Sequence, residues 1–308
     1  MSSSIEQAYE RSQELIQEQE AMLLALKKFH KICTENNIKY SLYGGTLLGA
    51  IRNKGFIPWD DDADVSLSRD NYKKLVGAMK RYKDDNIIFE DKIERIPRLI
   101  MKYEDKVVWI DLFIYDYISE NKILQKIKIY SILFLDAFVK TKETMAYTKE
   151  RGRYFGLKYQ LFYIIYLFGS IFPVEIRINL LHKFSEKYLC GKKRSIFLSN
   201  DQYSGKLLIF PAQMMEAYIN TAFEDTELMV TAKYNERLIR SYGEDYMIPH
   251  MYTTSVEGNV HDTVRKVLFD TFEKRKLAET DEGGVILLDI YRRRGVGALR
   301  PSERRDAA

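Results

Sequence analysis

The sequence predicts an α/β (α+β) protein, a mixed β-sheet flanked by helices, with a helical insertion and a C-terminal segment added to it. Three observations predict this class. Over the first 118 residues, short β-branched runs alternate with amphipathic stretches, the pattern of a compact α/β unit. Residues 121–191 are aromatic-rich and helical in period. The 308 residues, 46% of them hydrophobic, suffice for one large domain or two modest ones.

The elements follow in order. Residues 5–36 read as a helix, because Leu15, Met22, Leu26, Phe29 and Ile32 recur near helical spacing, and the segment 1–36 is expected to pack on the core. The core proper spans 37–120. A β-type run at 38–42 ends at Gly44-Gly45, and residues 46–52 form a short helix with Thr46 as its expected N-cap. Strand character returns at 63–67, followed by a helix from Ser68 to about Tyr82. Residues 87–90, 98–103 and 107–118 supply further strands, the last apolar enough to lie centrally. The insertion runs over 121–205, with helices at 123–139 and 154–188 and Pro173 as a break. Segment 206–255 is expected to complete the domain, and the Gly- and Arg-rich 281–308 to form a flexible tail.

Charge excludes one class of partner. Residues 291–308 hold six Arg against Glu303 and Asp306, a balance of +4 that equals the whole chain's, so residues 1–290 are neutral. No basic footprint for nucleic acid remains on the body. Two cysteines, Cys33 and Cys190, make neither a disulfide framework nor a zinc site, which suits a reducing compartment. The polar start argues against a secretory signal. The longest apolar stretch, about 14 residues from Leu161, falls short of the roughly 20 a bilayer span requires. A cytoplasmic protein is expected, with at most a peripheral contact at the inner membrane face.

Chemistry concentrates at residues 43–65, where Asp60, Asp61, Asp62 and Asp64 follow a glycine turn. Such crowding opposes folding unless a cation or a positive partner sits there; the plain alternative is a solvated acidic turn. Along a strand, Asp60, Asp62 and Asp64 share one face. Two carboxylates so placed reach a hard cation such as Mg²⁺, with phosphate oxygens completing its shell. Gly44-Gly45-Thr46 joins a strand to a helix start, whose backbone N–H groups suit a phosphate. Asp111 interrupts an apolar strand and is either a third ligand or the partner of a nearby cation such as Lys102. Asp116 carries the same ambiguity nearer the strand end.

The string Gly-Gly-Thr-Leu-Leu-Gly-Ala-Ile-Arg-Asn-Lys-Gly-Phe-Ile-Pro-Trp-Asp-Asp-Asp-Ala-Asp-Val, residues 44–65, resembles the LicD family, a branch of the nucleotidyltransferase-like superfamily related to fukutin-type proteins. Phe223-Glu224 and the run Tyr242-Gly243-Glu244-Asp245-Tyr246-Met247-Ile248-Pro249 resemble that family's C-terminal signature, and the resemblance covers about residues 20–252. It implies a nucleotidyltransferase-like core. The implied activity moves phosphocholine from CDP-choline to a glycan or lipid-linked glycan, in teichoic acid or lipooligosaccharide, with release of CMP. By the same resemblance Asp62 and Asp64 map onto a metal pair for Mg²⁺ or Mn²⁺, with Asp111 third and Asp60 as an extra ligand or a group supporting the ligands; Asp60 or Asp111 is the expected acceptor of the hydroxyl proton. Asn53 stands where the family often has His, so no base is placed there.

Gly44, Gly45 and Thr46 are the expected phosphate contacts, with Arg52, Lys54 and Lys102 as candidate counter-charges. Choline requires an aromatic wall, for which Trp59, Tyr242 and Tyr246 are the candidates. For Trp59 the alternative is core packing. The aromatic helices read either as a buried lid or as an interfacial face of Phe155, Leu161, Phe162, Ile165 and Phe168 flanked by Lys158 and Arg177. Other classes stay open: transfer of ribitol, glycerol or mannose phosphate, an NTP-dependent nucleotidyltransferase, or a non-catalytic scaffold.

Overall fold

The structure is a computed structural model that describes residues 13–92, 95–142, 144–145, 156–201 and 203–248. The start of the expected first helix, Phe155, Pro249, His250, His261 and the 281–308 tail lie outside the described residues.

Helix α1, Gln13–Glu35, buries Met22, Leu26, Phe29 and Cys33 against the sheet, as its apolar spacing requires. Strand β1 is only Ser41–Leu42, and α2 is Gly44–Arg52. Strand β2, Asp64–Ser68, leads into α3, Arg69–Met79, where the Ser68 side chain accepts from Asn71 N–H as the N-cap. Three strands follow: β3 (Ile87–Glu90), β4 (Arg98–Tyr103) and β5 (Lys106–Ile118).

β5 organises the seven-stranded sheet. One edge pairs in parallel with β2 through Asp64↔Asp111 to Ser68↔Tyr115. The other pairs first with β4, through Arg98↔Asp111, and then with β6, Ser195–Leu198, through Tyr115↔Leu198. Between β4 and β6 the ladder is completed by side chain and loop. Asn200 accepts from Ile114 N–H and donates to the Leu112 carbonyl, while Pro97 accepts from Leu112 N–H. Buried polar groups are thereby paired where no strand reaches. β6 lies inside the segment expected to be helical insertion, and it belongs to the sheet.

The insertion holds α4 (Lys122–Phe138), α5 (Gly156–Gly169) and α6 (Val174–Lys187), with α5 and α6 bent by 115° at Pro173. Short elements follow: α7 (Tyr203–Lys206), β7 (Phe210–Pro211), which pairs with β6, and a 3₁₀ turn at Ala212–Met215. The hairpin β8 (Tyr218–Phe223) and β9 (Thr226–Thr231) closes over β1, where Thr231 N–H donates to Ser41 Oγ and Met229 N–H to Tyr40 Oη. Helix α8, Tyr234–Tyr242, ends the described fold. No single described helix is long and apolar enough to cross a membrane.

Asp116 resolves as a structural acid. Arg69 donates to it bidentately at 2.8 and 2.5 Å and Ser199 Oγ at 2.6 Å, all buried. Cys33 is a core residue.

Candidate active site

The acidic turn and the glycine turn meet face to face. Gly44 sits at φ +56°, and a Cβ there would stand 2.7 Å from Asp64 Oδ2; at Gly45 it would stand 2.6 Å from Asp60 Oδ2. Only glycine lets the carboxylates come this close to the start of α2. Thr46 plays a different part from the expected N-cap. The helix begins two residues earlier after Tyr43, with no side-chain cap, and Thr46 Oγ1 accepts from Asp64 N–H at 2.9 Å. Its hydroxyl holds β2 in place at the acidic end.

Asp64 and Asp111 are register partners on neighbouring parallel strands and so point to the same face. Burial, then Asp62, Asp111, Asp60 and Asp201, push the Asp64 carboxyl well above the usual carboxylate range. The cation beside Asp111 is Arg98, whose Nε donates to Oδ1 at 2.6 Å and whose guanidinium lies 6.0 Å from the Trp109 ring. Lys102 instead pairs in register with Val107, four positions before Asp111 on β5.

The donor set is entirely carboxylate oxygen, the chemistry of a hard cation. Among the described residues no three acids converge closely enough to cage an ion unaided. Mg²⁺ requires only one or two carboxylates beside phosphate and water oxygens, so the residues fit an ion that arrives with a phosphate ligand.

Two residues that the sequence reading passed over join the site. Asp201, placed by Asn200's bonds to β5, accepts from Tyr43 Oη at 2.6 Å. Arg237 on α8 is buried, with its guanidinium 4.7 Å from the Tyr43 ring and 4.9 Å from Phe210. It donates to Ser241 Oγ, yet among the described residues its Nε has no partner and no carboxylate pairs with it. Burial opposes its charge, but Tyr115, Tyr43 and Asp201 outweigh burial and hold it protonated. Local periodicity marks neither of them, because their neighbours come from distant segments.

Tyr242 belongs to this cluster. Desolvation, then Asp60 and Asp64, raise its phenol far above the ordinary range, while Arg237 acts to lower it. Tyr246 does not: its ring joins the core and its hydroxyl donates to Asn235 Oδ1 at 2.6 Å. Trp59 is half-buried against the core. Arg52 donates to its neighbour Asn53, and Lys54, at φ +61°, contributes its carbonyl to Glu224 N–H.

The two distant motifs interlock. Glu224 Oε1 accepts from Phe56 N–H at 3.0 Å, and Phe223 meets Phe56 edge to face at 4.9 Å. A Cβ on Gly55 would lie 2.1 Å from Glu224 Oε1. Gly55→Ala is therefore expected to destabilise the fold by about 1–3 kcal/mol. Thermal unfolding beside Lys54→Ala, which leaves the lock intact, checks this.

Residues 37–150 match the family described as LicD/FKTN/FKRP, nucleotidyltransferase domain. The lipopolysaccharide cholinephosphotransferase LicD of Haemophilus influenzae is 29% identical over 250 residues, which cover 76% of this chain and 91% of that protein. An uncharacterized protein of Rickettsia typhi is 34% identical over 120 residues, covering 35% of this chain and 39% of its own. One from Rickettsia prowazekii is 48% identical over 46 residues, or 15% and 17% of the two chains. The segment 37–150 that matches the LicD/FKTN/FKRP family contains the glycine turn, the acidic run and Asp111.

Proposed function

We propose that the protein transfers phosphocholine from CDP-choline to a hydroxyl of a cell-surface glycan of the lipopolysaccharide or teichoic acid type, releasing CMP. The observation that carries this reading is the crowding of Asp60, Asp62 and Asp111 around Asp64, with Asp60 and Asp64 set against the glycine turn. The Haemophilus influenzae relative, named a lipopolysaccharide cholinephosphotransferase, sets choline and that acceptor class as the first substrates to try.

Asp62 and Asp64, with Asp111 as third acid, would hold Mg²⁺ or Mn²⁺, which when bound neutralises diphosphate charge and stabilises the departing CMP. The chain's own groups do the rest. Gly44, Gly45 and Thr46 offer backbone N–H groups to phosphate oxygens at the start of α2. Arg237 faces the diphosphate from the other side. The acceptor hydroxyl attacks the choline-bearing phosphorus, the new O–P bond forms, and the bridging P–O bond breaks with its electron pair leaving on CMP. Asp60 takes the hydroxyl proton, since one oxygen of Asp111 is engaged by Arg98. Tyr242, among the carboxylates, is the first aromatic wall for the trimethylammonium, with Trp59 the second. The working place is the cytoplasm, at a surface presenting the acceptor.

The test is a nucleotide-release screen with Mg²⁺ and a glycan acceptor. CDP-choline, CDP-ribitol and CDP-glycerol are followed by CMP, GDP-mannose by GMP, and nucleoside triphosphates by pyrophosphate. CMP from CDP-choline above a metal-free blank is the expected result. Turnover of another donor alone, or of none, overturns the assignment.

A further inference from the structure

The insertion leaves three apolar stripes bare. On α4, Ile123, Ile127, Tyr130 and Phe134 follow one another at helical spacing and are 47–70% exposed. On α5, Leu157, Leu161, Ile164 and Phe168 do the same at 57–80%, and the stripe continues into Ile171 at 71%. On α6, Ile176 and Leu180 are one turn apart and exposed. The stripes of α4 and α5 adjoin, because Phe138 bridges these helices by lying 6.5 Å from Phe134, 6.0 Å from Phe168 and 5.8 Å from Phe172. Monomeric soluble proteins rarely show contiguous apolar patches beyond a few hundred Å². A buried lid does not describe these helices.

Two members of the face expected from sequence change place. Phe162 and Ile165 are half-buried, and Arg177 is a buried tie that donates to the Phe138 and Lys140 carbonyls at 2.9 and 2.8 Å.

We infer that this face lies in the surface of an anionic lipid bilayer, with α5 parallel to the membrane plane. Its dimensions suit that position. A 14-residue helix is about 21 Å long, short of the roughly 30 Å hydrocarbon core, and the 115° bend at Pro173 turns the chain aside. Its charges suit it as well. α5 has no acidic residue, and the one acid of α4, Asp136, is buried against Lys206 and Arg95. The exposed cations Lys122 and Lys126 on α4 and Lys158 on α5 supply basic charge on the same helices. Exposed Tyr130 and Tyr163 have the amphipathic ring that settles at headgroup depth. This inference stands on the insertion alone and not on the transferase reading.

The experiment is flotation of the full-length protein with phosphatidylcholine vesicles, with and without 30 mol% phosphatidylglycerol, beside light scattering for oligomeric state. Binding to the anionic vesicles at least tenfold above neutral ones is expected. Leu161→Glu with Ile164→Glu should reduce it at least tenfold, with the thermal midpoint and CMP release to a water-soluble acceptor unchanged. Failure of the full chain to float, with or without a dimer that the same substitutions dissolve, overturns the inference. So does flotation that the substitutions leave intact.

Discussion

Asp64→Asn is expected to remove transfer while making the metal-free protein more stable. The side chain is isosteric, so the contact with Gly44 and the strand register with Asp111 remain. What disappears is a desolvated carboxyl whose ionisation Asp62, Asp111, Asp60 and Asp201 all oppose. Relief of that repulsion is worth about 1 kcal/mol, or about 2–4 °C in thermal midpoint for a domain of this size. The cost falls on turnover. A lost metal-facing oxygen should lower the rate on the order of 10³-fold, because charge on the diphosphate is then left uncompensated as CMP departs. Scanning calorimetry without metal and a CMP-release assay with it measure the two halves. A residue serving only the fold would lose stability and activity together.

Arg237→Met is the second variant whose effects should separate. The guanidinium is buried on Tyr43 and Phe210, donates to Ser241 Oγ and has no ion-paired carboxylate among the described residues, so burial offsets part of what its charge contributes to the fold. An apolar chain of similar length is expected to leave the thermal midpoint within about 3 °C, the lost cation–π contacts offsetting the relief of burial. Turnover should fall by about 10²–10³-fold, since a charged donor aimed at the diphosphate is gone. Arg237→Lys should recover only part, for an ammonium restores charge and not the fork. A Met variant with full kcat/KM for donor would remove Arg237 from the site.

Both variants draw on groups that the sequence discloses unequally. The acidic run and glycine turn were legible because their neighbours in space are close in the chain, and Asp111 because a charge stands out in an apolar strand. The partner of Asp111 was not. Proximity along β4 suggested Lys102, whereas strand register decides the pairing. The signal was present in Glu104-Asp105, which as a two-residue turn sets Tyr103 opposite Lys106 and therefore Arg98 opposite Asp111. Arg237 and Asp201 had no such signal, since they reach the site only after β5, β6 and α8 assemble. Thr46 shows the converse. Its type suits an N-cap, but the tertiary partner Asp64 N–H takes its hydroxyl. For the insertion, periodicity gave helices without saying which face was covered, and only the packed structure distinguishes the bare stripes from a lid.

The central claim is that the acids of residues 60–64 and Asp111 form a hard-cation site completed by the donor's diphosphate. Mn²⁺ titration followed by electron paramagnetic resonance, with and without CDP, tests it most directly. The account predicts weak Mn²⁺ binding by the protein alone, tightening at least tenfold with CDP, and loss of both in Asp62→Asn/Asp64→Asn. Mn²⁺ binding that is indifferent to CDP and survives the double substitution would contradict it.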